Sequence, residues 1–305
     1  MNNLVLRNNT DISKIIDGEI KHLYLNYDIN IESMKCLSEE MKYSNTLTHL
    51  YLYHDINSES MKYLTEVIKD NTIIENLWIC CNLNIESMKY LSHAIKYNKL
   101  IIYLILNFKN HTHEESMKYL SSAIKYNYTI ICLELHSDIN PKSMKYFSDA
   151  IKYNQTIKYL SLHYNINFES MNQLSEAIKY SNTLTHLYLY CIMNAESIKQ
   201  LSNSIFENIV ITHFYTKHKI EPKLMECINN SLEENKIITK FTQVCKNNQT
   251  TDAIQMIKKY NIKCYPEKVT NRKIKEDAIY WILKNKMRNV AKELINEMWY
   301  NEKII

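Results

Sequence analysis

Ser58-Glu59-Ser60-Met61-Lys62-Tyr63-Leu64, followed ten residues later by Ile74-Glu75-Asn76-Leu77-Trp78-Ile79, decides the fold, because the pair of segments recurs along the chain. The methionine of the first segment stands at Met34, Met61, Met88, Met117, Met144 and Met171, and Ile198 and Met225 take its place in two further units. The steps between them are 27, 27, 29, 27, 27, 27 and 27 residues. A period of this length belongs to architectures in which one supersecondary unit stacks on the next. Stacking also suits the length: 305 residues are many for one globular core, whereas a stacked unit packs only on its neighbours.

Within the unit, Met61, Leu64 and Ile68 stand at helical spacing with Val67 beside them, so the first segment predicts a helix with one apolar stripe. Asn57 or Ser58 is placed to cap its start, Glu59 lies in the first turn and Lys69 in the last, where the helix dipole favours each charge. Asn71 then closes the helix and recurs as Asn98, Asn127, Asn154, Asn208 and Asn235, with Ser44-Asn45 and Ser181-Asn182 shifted by one. The chain contains a single glycine, Gly18. Asparagine is therefore expected to supply the left-handed residue that ends each helix. The second segment alternates with period 2, which predicts a short strand with Leu77 and Ile79 inward. Its equivalents are Leu47/Leu50/Leu52, Ile130/Leu133/Leu135, Ile157/Leu160/Leu162 and Leu184/Leu187/Leu189. Strands joined through helices in this order stack as a parallel sheet.

Leu47-x-x-Leu50-x-Leu52-x-x-Asp55, preceded by a helix, resembles the leucine-rich repeat family, and among its classes is most similar to the ribonuclease-inhibitor type. The resemblance covers roughly residues 20–241. It implies an α/β horseshoe solenoid, with a parallel concave sheet and convex helices. Two departures stand out. The unit is 27 residues where the family has 28–29, and the polar residue after the strand varies as Asn82, Asp55, Asp138, Asn165 and Ile192. The family includes GTPase-activating members that use an arginine, but after Arg7 the repeat region has none.

The expected organisation is an N-terminal cap at 1–20, the solenoid at 21–243 and a C-terminal helical region at 244–305. In the cap, residues 11–16 occupy a degraded helix slot. At the far end the strand aliphatic Leu189 gives way to Thr216 and then Gln243, as a capping unit requires. The 29-residue unit carries its extra residues in a loop at 109–113. Beyond 244 the period is lost; residues 251–260 and 276–299 read as helices that cap the array, with a faint resemblance to ankyrin-type helix pairs. From Lys240 onward there are 14 Lys/Arg against 7 Asp/Glu, while the whole chain carries +4, so the repeat region is net negative. The N-terminus has no apolar run like a signal peptide. No stretch approaches the length of a membrane span. Eight cysteines are scattered without a CxxC pair. The chain is expected to be intracellular and cytoplasmic.

Function is expected where the repeat varies. The strand residues between the inward leucines form three columns on the concave face. The first reads His22, His49, Asn76, Tyr103, Cys132, Tyr159, His186, His213. The second reads Tyr24, Tyr51, Trp78, Ile105, Glu134, Ser161, Tyr188, Tyr215. The third reads Asn26, Tyr53, Cys80, Asn107, His136, His163, Tyr190, Lys217. Tyrosine and tryptophan give large, stiff contact area and are enriched at interface hot spots. Strand propensity alone also favours tyrosine there, but the clustering points to a protein partner. His54, Cys80 and Cys81, and His136 beside His163, raise the question of zinc. No zinc-site spacing occurs, and neither metal nor cofactor is expected. Lys35, Lys62, Lys89, Lys118 and Lys145 form one helix column, Lys42, Lys69, Lys96, Lys125, Lys152 and Lys179 another; beside Glu32, Glu59 and Glu86 they read as a solvated face. The basic tail (Arg272, Lys273, Lys275, Lys284, Lys286, Arg288) is the alternative, a nucleic-acid-binding element. There is no glycine-rich phosphate loop, HExxH or nucleophile elbow, so no enzyme is expected.

Overall fold

The computed structural model describes residues 3–6, 20–108, 113–164 and 166–247, together with Asp252, Gln255 and Met256. Strands and helices alternate: β1 Asn3–Leu6, β2 His22–Leu25, α1 Ile31–Tyr43, β3 His49–Leu52, α2 Ser58–Asp70, β4 Asn76–Ile79, α3 Ile85–Tyr97, β5 Tyr103–Asn107, α4 Glu114–Tyr126, β6 Cys132–His136, α5 Pro141–Tyr153, β7 Tyr159–Leu162, α6 Phe168–Tyr180, β8 His186–Leu189, α7 Ala195–Glu207, β9 His213–Thr216 and α8 Pro222–Lys246. The nine strands form one sheet in chain order. Every pair in it is parallel. This is an α/β solenoid. Contacts divide the chain into two compact units, Met1–Leu232 and Glu233–Ile305; the sheet lies in the first.

Seven helices of identical length follow from seven copies of the same instructions. At six of them an asparagine is the N-cap, and its side chain accepts from the serine N–H three residues on, as Asn57 does from Ser60 at 2.9 Å. In the 29-residue unit His113 takes that role, its Nδ1 accepting from the Glu115 N–H at 3.2 Å. The repeated methionines and the strand leucines are buried together in one continuous core. In-register pairing sets Leu50 on Leu77 and Leu52 on Ile79. A one-residue slip would turn every leucine out of the core.

The helix ends depart from expectation. Asn71, Asn98, Asn127, Asn154 and Asn208 are C-caps, but all are extended, with φ between −64° and −85°, so none is the left-handed residue the glycine shortage suggested. Their side chains explain why asparagine is used. Asn127 Oδ1 accepts from the Thr129 and Ile130 N–H groups at 2.9 and 2.8 Å, turning the chain into the next strand. Its Nδ2 donates to the carbonyls of Ile95 and Asn98 in the preceding unit, at 2.8 and 3.3 Å. Asn98, Asn154 and Asn208 repeat this pattern. These four are buried. Ser44 and Ser181 stand at the same cap position, so the register is not shifted there; each hydroxyl accepts one N–H, from Leu47 and Leu184 at 3.3 Å.

The C-terminal end of the array also differs. Phe214 and Thr216 of β9 are part-exposed where Leu187 and Leu189 of β8 are fully buried, so the core thins at the last strand. The next step of the repeat predicts a helix stop at Asn235 and a strand slot at Gln243. Instead, α8 runs through both. A glutamine stands where the strand needs an inward aliphatic, and the sequence supplies no further repeat to cover an added strand. The expected helix slot at 11–16, the loop at 109–112, the helix at 276–299 and the basic tail lie outside the described residues, as does most of 251–260.

Candidate protein-binding face

On each strand the residues between the leucines point away from the helices. Parallel neighbours at one strand spacing put like side chains beside like, and the rings stack. At one end, His22 lies on His49 with centroids 4.0 Å apart and Tyr24 on Tyr51 at 4.3 Å. Tyr53 and Trp78 close this cluster at 6.3 Å, with Trp78 tilted 46°. At the other end Tyr159 stacks on His186 at 4.2 Å and His186 on His213 at 4.0 Å. His163 stacks on Tyr190 at 4.1 Å, and Tyr190 meets Tyr215 at 5.3 Å. Tyr53, His163 and Tyr190 lie one residue beyond their strands, yet their N–H groups still donate to the neighbouring strand, so the columns extend to them. Tyr188 stands in register with Ser161 and Tyr215. The structure therefore brings most of the sequence-selected residues into two clusters. Tyr103 stands apart from both, in the middle of the sheet and 48% exposed.

The two clusters have a common origin in sequence that a period-by-period reading passes over. Residues 42–53 and 179–190 are the same twelve residues, Lys-Tyr-Ser-Asn-Thr-Leu-Thr-His-Leu-Tyr-Leu-Tyr. The threonine before each histidine matters. Thr48 Oγ1 lies 2.8 Å from His49 Nδ1 and 3.3 Å from the Lys21 carbonyl. Thr185 and Thr212 repeat this with His186 and His213. A hydroxyl has one proton; donated to the carbonyl, it leaves the oxygen to accept from an Nδ1–H. That tautomer turns the Nε2 lone pair outward. The Thr-His dipeptide was the available signal.

Burial, and second the neighbouring imidazole, holds His49 and His186 below the usual histidine range. Burial also pushes the Tyr51 hydroxyl up to about 12, with Tyr24 and Tyr53 adding to it. Tyr53 and Tyr188 rise for the same first reason. The face thus presents ordered rings that carry hydroxyl and imidazole groups.

Between the clusters the column residues change to Ile105, Asn107, Cys132, Glu134 and His136. Glu134 Oε1 lies 2.5 Å from His136 Nε2 and 3.3 Å from His163 Nε2. The hydrogen bond from His136 is the main cause holding this carboxyl below its usual range. Burial is the main cause lowering His163. His136 and His163 are also stacked, at 3.8 Å. The other sequence-level neighbours do not converge in this way. His54 Nδ1 faces the Asp55 carbonyl at 3.1 Å, and no group combining His54 with Cys80 or Cys81 brings three ligand atoms together among the described residues.

The lysine columns also differ from the expected pairing. Lys89 meets Glu86 at 3.8 Å as anticipated. In the second column Lys42 meets Glu39 of its own helix at 2.7 Å, whereas Lys125 and Lys179 pair across helices, with Asp149 at 2.7 Å and Glu207 at 2.6 Å. In that column Lys96, Lys125 and Lys152 also lie over tyrosine rings of the next helix. Among the described residues no helix is long and apolar enough to cross a membrane.

No family model matches the chain, and no curated protein matches it. Among solved structures it is similar to the leiomodin-1 actin-binding site 2, at 17% identity and a TM-score of 0.42, over 46% of this chain and 84% of that one. The solenoid assignment rests on the strands and helices themselves.

Proposed function

We propose that this chain is a non-enzymatic interaction scaffold of the leucine-rich repeat kind, nearest the ribonuclease-inhibitor class, which binds another protein on the open face of its sheet. The observation that carries this reading is the pair of stacked aromatic clusters on β2–β4 and β7–β9. Stacked rings are already ordered, so a partner that packs on them loses little additional side-chain freedom. Their outward hydroxyl and Nε2 groups offer donors and acceptors at fixed spacing. Two anchors separated by several strands favour an extended partner that touches both. An intracellular setting belongs to this reading, supported by the lack of any disulfide among the described cysteines.

The test is affinity capture from the native cell with the intact chain and with a Tyr51→Ala, Trp78→Ala, Tyr188→Ala triple variant. Each hot-spot truncation costs about 2 kcal/mol or more, so the triple variant should lose its partner altogether. Unchanged capture by a variant whose thermal unfolding matches that of the parent would refute the proposal.

A further inference from the structure

The polar centre of the open face places three ligand-type atoms within reach of one another. Glu134 and His136 are two residues apart on β6 and so project from the same side. His163 follows β7, and its N–H donates to the Leu135 carbonyl at 3.0 Å, which seats it beside His136. Glu134 Oε1, His136 Nε2 and His163 Nε2 all lie within 4.8 Å of one another. Ser161, in register with Glu134, adds its Oγ 2.9 Å from His163 Nε2.

The rings are ordered by stacking, a geometry that coordination of one ion would open. His163 is sandwiched between His136 at 3.8 Å and Tyr190 at 4.1 Å, both nearly parallel to it. Two imidazoles in face contact repel each other if both are protonated. For one divalent ion to take both Nε2 lone pairs and the Glu134 carboxylate, one imidazole turns out of the parallel stack, because face-to-face rings aim their lone pairs side by side. Zinc–nitrogen and zinc–oxygen bonds of about 2.0–2.2 Å set tetrahedral donors about 3.3 Å apart. Glu134 and His163 stand 3.3 Å apart, and the turn that unstacks one ring also opens the 2.5 Å contact of Glu134 with His136. All three side chains are a quarter exposed, so a position remains for water or for a group from another molecule. Two imidazole nitrogens and one carboxylate suit zinc and its neighbours in the first transition row, not calcium or magnesium.

We propose that Glu134, His136 and His163 form a divalent transition-metal site of the zinc type, open to solvent, at the centre of the sheet face. It stands independently of the partner reading. The spacing in sequence is two and 27 residues, which matches no metal motif; only the stacking of units makes the ligands adjacent.

The experiment uses the purified full chain, stripped with chelator, dialysed and titrated with Zn2+ by calorimetry and with Co2+ by visible absorption. One equivalent should bind, with Co2+ bands of a low-coordinate nitrogen–oxygen site and a rise in Tm on adding Zn2+. Glu134→Gln and His136→Phe should each weaken binding by at least about tenfold. Phenylalanine keeps a ring in the stack but loses the hydrogen bond to Glu134, so the metal-free Tm should fall slightly while the rise in Tm on adding Zn2+ disappears. His54→Ala, at a different place in the chain, should bind as the parent does. Absence of saturable Zn2+ binding, or equal binding in the Glu134→Gln and His136→Phe variants, overturns the proposal.

Discussion

Two ladders cross the repeat array at one residue per unit, one buried and one open. Along the helix ends the buried ladder reads Asn98, Asn127, Asn154, Ser181, Asn208, and only serine ever replaces asparagine. On the sheet the first open column reads His22, His49, Asn76, Tyr103, Cys132, Tyr159, His186, His213. Strand pairing gives the open column the same one-per-unit spacing, yet its chemistry changes at almost every step. The difference lies in what a substitution leaves behind. A lost amide in the buried ladder strands backbone groups away from water, whereas a lost ring on the open face exposes a surface that water can cover. Burial therefore holds one ladder constant, and exposure leaves the other available to carry recognition.

The strongest way to break this comparison is Asn127→Ala. It removes five hydrogen bonds, two donated to Ile95 and Asn98 and three accepted from Thr129 and Ile130, and should cost about 3 kcal/mol or more in urea unfolding. Tyr103→Ala, half-exposed on the face, should cost under about 1 kcal/mol. Similar losses for the two would show that the ladders do not differ as described. Asn98→Ser, which installs the residue nature uses at Ser44 and Ser181, sharpens the point. A hydroxyl keeps one acceptor but loses the reach to Ile68, so a loss of about 1–2 kcal/mol is expected by the same measurement.

A smaller effect should appear with pH. The folded-state pKa of His49 lies below the unfolded value of about 6.5, so the folded chain binds fewer protons in that window. Its contribution is complete above about pH 6.5 and is lost as pH falls toward the lowered value. His22 on the stacked ring opposes protonation and Glu75 favours it. His49→Asn, the residue that β4 carries in this column, should flatten the stability profile as pH falls below about 6.5. An unaltered profile would remove His49 as the cause. Smallest of all, Lys125→Met on the helix side breaks an ion pair with Asp149 and a contact with the Tyr153 ring, and should change stability by about 0.5 kcal/mol, less at high salt.

How much of this was legible in sequence follows the reach of each interaction. The helix stripe, the asparagine N-cap and the inward strand leucines are local or periodic, and all three could be read from one unit. The column residues were equally legible, because period-2 alternation assigns each to a face. The C-cap asparagines stand out in the sequence but their task does not, since the carbonyls bound by Asn127 Nδ2 belong to the unit before it. The same distance hid the link between Glu134 and His163, 29 residues apart. The period points to a helix stop at Asn235, but α8 continues through it because no complete strand pattern follows.

The direction in which the buried asparagines reach has a mechanical consequence. Each amide grips the unit before it, so the array carries tension through couplings that all point the same way along the chain. Pulled from its ends, such an array should yield in discrete events. Each would release one 27-residue unit, or about 90 Å of extended chain at 3.3–3.6 Å per residue. The force record would then be a sawtooth of nearly even teeth, with weaker ones where Ser44 and Ser181 replace the amide.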